Sequence, residues 1–503
     1  PDLQAGRLSA EQYAVNFSDA HPPLNTQQAL IEAERCYYCY DAPCATACPT
    51  HIDIPSFIAR IADGNLRGAA QTILDANILG GMCARVCPTE VLCEQACVRT
   101  KNEHKPVEIG LLQRHATDAF MANPGAPLFK RATGSGKRVA VVGSGPAGLA
   151  CAHRLALLGH AVTLIERQPK LGGLNEYGLA TYKTLDNFAQ REINWLMSIG
   201  GIDRQMKTLG SDITLDALLT DYDAVFLGLG LTAVNALKLP LEETPGIRDA
   251  VAFIAELRQA KQPHEVVVGR RVLVIGGGMT AVDAAVQCKK LGAEEVTIVY
   301  RRGAPDMPAS QDEQRWAQTN GVLVRHWLSP KAVRLQDGQL SGMTFARTTL
   351  QGGKLVETDE RLELSADMVL KAVGQLIDSD PISLLSLKQG RIEVDEQGRT
   401  SVPKLWAGGD CRFGGRDLTV QAVEDGKQAA ISIDQQLRGV LIDDPKDDAT
   451  RRPPPEGSQS TRGGPSLTSE IDDPKDDATR RPPPEGNQST RGGPSLTSET
   501  HHG

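Results

Sequence analysis

Eight of the eleven cysteines lie between Cys36 and Cys97, in two runs. Cys36, Cys39, Cys44 and Cys48 form C-x2-C-x4-C-x3-C with Pro49 behind the last; Cys83, Cys87, Cys93 and Cys97 form C-x3-C-x5-C-x3-C with Pro88 behind the second. Soft thiolates at this density, with proline closing the run, are what iron–sulfur clusters use, and in two-cluster domains the last cysteine of a run often serves the other cluster. Two clusters are the simplest count. Zinc is the rival, because four-cysteine zinc sites also use C-x2-C pairs. Zinc modules on nucleic acid usually carry basic surface, however, and this segment has no basic run. His51, His104 and His115 lie nearby, but with enough thiols present they read as solvated or hydrogen-bonded side chains.

Two glycine loops follow. Val139-Ala-Val-Val-Gly143-Ser-Gly145-Pro146-Ala147-Gly148 is an apolar run leading into G-x-G-x-x-G. Gly143 suits the tight turn, Gly145 lets backbone approach a pyrophosphate, and Gly148 lets the next helix pack on the strand. Val162-Thr-Leu-Ile165 supplies a second strand ending at Glu166, twenty-three residues after Gly143. A carboxylate there can accept both ribose hydroxyls. Arg271-Val-Leu-Val-Ile275 followed by Gly276-Gly-Gly278-Met279-Thr280-Ala281 repeats the arrangement, but its second strand, Val296 to Val299, ends in Tyr300-Arg301-Arg302. Guanidinium groups at that place suit a 2′-phosphate, so NADPH is expected over NADH. The competing reading is two solvated surface arginines. Asp283 reads as a helix residue inside the second fold, with no chemistry assigned.

These residues need a scaffold. Apolar residues over Ile54–Ile61 and Leu66–Ala76 have helical spacing, which would bring the two cysteine runs together. Thr133-Gly-Ser-Gly-Lys137 reads as a linker into the first strand, Leu149 to Gly159 as the helix behind the first loop, and Ala224-Val-Phe-Leu-Gly228-Leu-Gly230 as a short strand entering a glycine turn. Ile442 to Glu470 recurs as Ile471 to Glu499 with Ser458 replaced by Asn487, and each unit has almost no large apolar residue. Such a tail cannot bury enough surface to offset chain entropy, so disorder is expected.

The 503 residues are enough for about three domains at roughly 100 to 200 residues each. A net charge of −8 implies no general attraction to nucleic acid or anionic membrane. No apolar run approaches the roughly 20 residues of a membrane span, and Pro1-Asp2-Leu3-Gln4 has no signal pattern, so a cytoplasmic location is expected. In a reducing compartment the cysteines argue for metal or redox use over disulfides.

The blocks Cys44-Ala-Thr-Ala-Cys48-Pro-Thr, Cys83-Ala-Arg-Val-Cys87-Pro-Thr-Glu-Val-Leu-Cys93 and Ile109-Gly-Leu-Leu-Gln113 resemble the N-terminal domain shared by dihydropyrimidine dehydrogenases and the glutamate synthase small subunit. The resemblance runs from about residue 25 to 440. It implies two interleaved 4Fe–4S clusters, one on Cys36, Cys39, Cys44 and Cys97, the other on Cys48, Cys87, Cys93 and Gln113, leaving Cys83 spare. From spacing alone Cys83 is as good a fourth ligand as Gln113. Leu171-Gly172-Gly173-Leu174 resembles the second FAD fingerprint of this reductase class. Gly408-Gly409-Asp410 matches the place where two-dinucleotide flavoproteins bind the ribityl chain, and the helix from about Val420 is the one whose N-terminus faces the flavin. Such a helix end favours the negative charge of a reduced flavin.

The fold class implied is α/β with an N-terminal all-α iron–sulfur domain and two Rossmann-like dinucleotide-binding domains, the NADPH domain inserted in the FAD domain. Boundaries are expected at 1–134 for the helical domain, 135–265 and 372–441 for the FAD domain, 266–371 for the NADPH domain and 442–503 for the disordered tail. An electron route follows: NADPH gives a hydride to FAD, which passes single electrons to the clusters. That step needs no acid or base, so no catalytic side chain is expected. No segment is left for a substrate barrel, and reduction must finish on a partner. Phe226-Leu-Gly228-Leu-Gly230-Leu231, Thr419-Val-Gln-Ala-Val-Glu-Asp-Gly426-Lys-Gln-Ala and Leu112-Gln113 lean toward the dehydrogenase. Gly178-Leu-Ala-Thr departs from the Gly-Ile-Pro usual in relatives, and Tyr300-Arg301-Arg302 is shared with the synthase. The expected partner is a pyrimidine-reducing subunit carrying FMN and further clusters, in a hetero-oligomer without nucleic acid or membrane. The alternatives are a glutamate synthase small subunit, another NADPH-dependent electron-input subunit, or, in a different class, a metal-bearing interaction module without redox turnover.

Overall fold

Two parallel five-stranded sheets organise the α/β part of the chain. In this computed structural model, residues 2–439 are described; the tandem-repeat tail lies outside the described residues. The first sheet has the order Leu405–Ala407, Ala224–Leu227, Arg138–Val142, Ala161–Glu166, Ile202–Met206. Its central strands carry continuous apolar runs, as strands covered on both faces must. Helix Pro146–Leu157 covers one face together with helix Thr419–Arg438. The two helices touch closely: a Cβ on Gly426 would lie 2.0 Å from the Ala147 carbonyl oxygen.

The second sheet has the order Leu323–His326, Glu295–Tyr300, Arg271–Ile275, Met368–Lys371, Ile247–Asp249. An antiparallel sheet of Leu328–Gln336, Gln339–Gln351 and Lys354–Ser365 follows its edge strand. The chain leaves the first sheet through Ala233–Val234 and returns through Gln375–Leu376, and these two segments pair with each other. The inserted domain therefore begins well before the expected 265/266 boundary. The reason is tertiary: Ile247–Asp249 pairs with Val369–Lys371, and Ala250, Phe253, Ile254 and Leu257 of helix Ala250–Gln259 bury against the second sheet.

The N-terminal boundary shifts as well. Leu3–Gln4 pairs with Val268–Gly269, and helix Ala10–Asn16, capped by Ser9, buries Tyr13 against the nicotinamide-side core, where Phe17 joins it. Residues assigned by sequence to the cysteine domain thus anchor on the inserted domain, each buried aromatic contributing on the order of 1.5–3 kcal/mol.

The cysteine scaffold is helical from Thr26 to Ala122, with helices Thr26–Glu34, Ile54–Ala62, Leu66–Ala76, Gly80–Val86 and Ile109–Ala122 forming its frame. Asp53 and Asn65 cap the two helices expected from spacing, and Ile54, Phe57, Ile58 and Ile61 form a single buried stripe. That stripe meets Ala69, Ile73, Leu112 and Ala116 in the same core as Cys48, Cys83 and Cys97.

Candidate functional site

The first glycine loop has the three environments its roles require. Gly143 adopts φ +96°, a left-handed conformation, and a Cβ there would lie 2.2 Å from the Gly228 carbonyl oxygen. A Cβ on Gly148 would lie 1.9 Å from the Gly143 oxygen, so helix and strand meet at van der Waals contact only with glycine. Gly145 differs: nothing lies within 4 Å of its Cβ position, leaving open space over the backbone where a pyrophosphate would rest. Gly172 N donates to the Ser144 carbonyl at 3.0 Å, and a Cβ on Gly173 would lie 2.7 Å from Gly145 Cα. The second glycine pair therefore abuts the first loop, with Leu174 opening the short helix Leu174–Tyr177.

Glu166 is buried at the end of its strand. Its Oε2 accepts from Ser144 N at 2.8 Å and Ser144 Oγ at 2.6 Å, and its Oε1 from Gln168 N at 2.8 Å. These bonds fix the carboxylate beside the loop. Gly409 lies opposite, its N–H donating to Asp425 Oδ2 at 3.0 Å. Burial, with Asp417 and Asp425 nearby, pushes Asp410 up to about 7 against the opposing pull of Arg391. Near neutral pH its side chain can donate as well as accept a hydrogen bond. Thr419 and Val420 open the helix that packs on Pro146–Leu157, so its free N–H groups sit at the same end of the sheet as Gly145 and Asp410.

The second loop repeats the geometry. A Cβ on Gly276 would lie 2.2 Å from the Ala372 oxygen, whereas Gly278 faces open space, and Met279, Thr280 and Ala281 open helix Met279–Lys290. Arg301 and Arg302 follow strand Glu295–Tyr300; their carbonyls accept from Thr348 Oγ1 at 2.7 Å and from Trp327 N at 3.3 Å. Among the described residues neither guanidinium is in an ion pair, so both charges are available to an anion.

The cysteines separate into two groups. Cys36, Cys39, Cys44 and Cys97 line one small cavity with Pro43, Ile54 and Ile58, although they come from both runs. Burial raises the Cys36 thiol, and raises Cys44 to about 12. Such surroundings disfavour bare thiolates, so the charge of bound iron is what would hold them deprotonated. Cys48, Cys83, Cys87 and Cys93 form the other group, with Cys87 N donating to the Cys83 carbonyl at 2.9 Å and the Cys87 thiol pushed well up by its Cys83 neighbour and by burial. Gln113 is buried, and its Nε2 donates to the Gly80 carbonyl at 2.7 Å, which orients its amide beside the helix carrying Cys83. No three described His, Cys, Asp or Glu side chains converge on a point as ligands of one ion do; the first group surrounds a cavity, the arrangement a cluster requires. His115 Nδ1 bonds the Leu24 carbonyl at 3.1 Å.

Sequence reasoning missed the groups that join these parts. Lys183 Nζ lies 2.8 Å from both Asp283 Oδ1 and Glu313 Oε1, bridging the flavin-side segment to two helices of the inserted domain. Asp283, given no role from sequence, also accepts from Ala180 N at 3.3 Å, within the stretch that departs from relatives. Glu192 accepts from Gly81 N at 2.7 Å and Met82 N at 3.2 Å, tying the flavin fold to the Cys83 helix. Val420 and the adjacent Leu418 pack in the cysteine core, and Lys427 donates to the Ala76 carbonyl at 3.0 Å. An isolated charge in a polar stretch gave no signal of these contacts.

Residues 137–426 match the family described as pyridine nucleotide-disulphide oxidoreductase. The chain belongs to this family. Residues 13–124 match the 4Fe–4S cluster domain described as domain II of dihydropyrimidine dehydrogenase, and together the two matches make the chain an NAD(P)H-dependent flavin and iron–sulfur oxidoreductase. It is similar to the NAD-dependent dihydropyrimidine dehydrogenase subunit PreT of Escherichia coli O157:H7, 34% identical over 432 residues, 86% of this chain and 99% of that protein. The NADPH glutamate synthase small chain of Escherichia coli K12 is 32% identical over 449 residues, covering 83% and 93%. Among solved structures, the Mycobacterium tuberculosis oxidoreductase FprA aligns with a TM-score of 0.53 at 20% identity, covering 60% of this chain and 85% of that one, a likeness of fold. In this family member no described helix is long and apolar enough to cross a membrane.

Proposed function

We propose that the chain is the electron-input subunit of a cytoplasmic two-subunit dihydropyrimidine dehydrogenase, oxidising NADPH and passing electrons to a partner that reduces uracil or thymine to the 5,6-dihydropyrimidine. The observation that carries this reading is the packing of both cysteine runs with Leu418 and Val420 of the flavin fold in one core, with similarity along 99% of the PreT relative. FAD would be held by Gly143, Gly145, Pro146, Ala147, Gly148, Glu166, Gly172, Gly173, Leu174, Gly409, Asp410 and Val420. Bound there, it supplies the conversion of a hydride pair into single electrons. Glu166 orients the ribose, the amides after Gly145 neutralise the pyrophosphate, and the Val420 helix end lowers the cost of negative charge.

NADPH would be held by Gly276, Gly278, Met279, Thr280 and Ala281, with Arg301 and Arg302 on its 2′-phosphate. Relatives are named for both NAD and NADPH, and the two unpaired guanidiniums favour NADPH here. Two 4Fe–4S clusters would be held by Cys36, Cys39, Cys44 and Cys97, and by Cys48, Cys87, Cys93 and Gln113, leaving Cys83 as a spare thiol. The partner would carry FMN and iron–sulfur centres in a hetero-oligomer.

The test is anaerobic NADPH oxidation by the purified chain with a candidate pyrimidine-reducing subunit. Uracil-dependent oxidation requiring both chains supports the proposal. Turnover only with a glutamate synthase large subunit, glutamine and 2-oxoglutarate overturns it in favour of the synthase reading, which the 32% identity to that small chain keeps in view.

A further inference from the structure

The two cysteine groups differ in depth. In the second group Cys48 and Cys83 are buried and burial pushes the Cys93 thiol well above its ordinary value, and helix Thr419–Arg438 arrives on that side, with Lys427 donating to the Thr50 carbonyl; in the first, Cys97 is buried while Cys36, Cys39 and Cys44 are half-buried beside the exposed Tyr37. If electrons enter at the buried group, they leave at the exposed one.

The surface over that exposed group is unusual. The chain has only eight tyrosines, and three of them, Tyr37, Tyr38 and Tyr40, interleave with Cys36 and Cys39. They are 53%, 43% and 99% exposed. Tyr37 lines the cavity of the first cysteine group, its ring 4.0 Å from the Arg99 guanidinium carbon and its hydroxyl donating to Glu103 Oε1 at 3.2 Å. Tyr38 stands at φ +50°, a conformation uncommon for a bulky residue, with its hydroxyl donating to the Ala33 carbonyl at 3.2 Å and much of its ring left exposed. Tyr40 at 99% exposure adds nothing to the fold. Rigid aromatic rings beside an arginine are the composition of interface centres.

The rim fixes the sign of what covers it. Arg35 and Arg99 are neutralised within the chain, by Glu32 and Glu103. Glu34 and Asp63 face Tyr38, and Asp41 follows Tyr40. All three carboxylates are exposed, and among the described residues none is in an ion pair. The face is aromatic at its centre and acidic at its edge.

We propose that Tyr37, Tyr38 and Tyr40, rimmed by Glu34, Asp41 and Asp63, are the docking face for an electron-accepting protein whose own one-electron centre is surrounded by basic residues. This rests on the electron-input reading. Each transfer moves one electron from the cluster of the first cysteine group to the partner's centre, with no bond made or broken, and two transfers clear the pair delivered by one NADPH. Opposite charge raises the encounter rate and aligns the two centres, while the tyrosines exclude water between them.

The probe is cytochrome c, a basic one-electron haem protein, reduced by the full-length holoenzyme with NADPH. Two variants are compared, Tyr38→Ser/Tyr40→Ser and the charge reversal Glu34→Lys/Asp41→Lys, each checked for iron and flavin content and for reduction of ferricyanide. The expected result is cytochrome c reduction that falls steeply with salt in the wild type, and drops by about tenfold with loss of that salt dependence in the charge reversal. Ferricyanide reduction and iron content stay within about twofold. The charge reversal touches no cysteine, so it keeps the test valid if the tyrosine variant loses iron. Unchanged cytochrome c kinetics in an iron-replete charge reversal overturns the docking face while leaving the electron-input reading intact. Failure of the wild type to reduce ferricyanide overturns the electron-input reading itself. Conversion of a wild-type dimer to monomer, with cytochrome c kinetics unchanged, assigns the face to a second copy and overturns the proposal.

Discussion

Gly145→Ala separates folding from cofactor binding at a single methyl group. Gly145 has φ −65° and ψ 178°, which alanine adopts without strain, and its Cβ position has no neighbour within 4 Å. The substitution therefore costs the apo fold nothing; by restricting the unfolded chain it adds about 0.4–1 kcal/mol. The same methyl occupies the space through which a pyrophosphate would approach the backbone. At a free FAD concentration of 100 times Kd, binding stabilises the wild type by about 2.7 kcal/mol. At about 2–4 °C per kcal/mol, that is a rise of about 5–11 °C in the midpoint of the flavin fold. The deflavinated variant should melt about 1–4 °C above deflavinated wild type, and FAD should raise only the wild type. Gly148→Ala provides the contrast, because its Cβ would lie 1.9 Å from the Gly143 oxygen and must lower the midpoint of both forms. The assay is thermal unfolding of deflavinated protein with and without FAD, alongside flavin absorbance. Full FAD stabilisation of Gly145→Ala would refute the placement of the pyrophosphate, and a strongly destabilised apo variant would refute the open space.

Replacing both Arg301 and Arg302 with glutamine should lower kcat/KM for NADPH by about 10- to 100-fold, the loss of charge-assisted hydrogen bonds, and leave NADH within about twofold; steady-state kinetics with both nucleotides checks it. Burial pushes Glu192 up to about 8, against the lowering by the Gly81 and Met82 amides. The folded chain then holds a proton that the unfolded chain releases near its ordinary value of about 4.3, so this group costs stability as pH rises from there to about 8. Glu192→Gln should gain thermal midpoint relative to wild type across that window; a constant difference would disprove the assignment. Lys183→Met leaves Asp283 and Glu313 without their shared cation and should destabilise by about 3–5 kcal/mol in denaturant unfolding. Gln113→Leu should lose about half the iron and Cys83→Ser almost none, by iron determination on anaerobic protein; the reverse result would make Cys83 the ligand.

The glycine loops and cysteine runs were legible because their patterns are local. A glycine loop between an apolar strand and a helix carries its function in about ten consecutive residues, as backbone must come close to phosphate at fixed spacing. Gly143, Gly145 and Gly148, and the strand Arg271–Ile275 before Gly276, therefore stand where their spacing put them. The cysteine spacings told of clusters for the same reason, and the stripe Ile54, Phe57, Ile58, Ile61 told of the helix that supports them.

What only the tertiary structure decided is where distant segments meet. That Ile247–Asp249 joins the second sheet, and that Leu3–Gln4 and Tyr13 belong with it, follows from pairing and burial between residues far apart in the chain. No local period records such pairing. The Lys183, Asp283 and Glu313 cluster, and the reach of Glu192 to Gly81, are of the same kind: each charge looks like ordinary surface in sequence. It acquires a role only when burial removes water and leaves a few fixed partners. The grouping of Cys97 with Cys36, Cys39 and Cys44 was implied by family resemblance but not by spacing, and the fold shows how it arises. Residue types and spacing pointed to thiols gathered for iron–sulfur chemistry, and the packing of the helices between the two runs decided which thiols share a cavity.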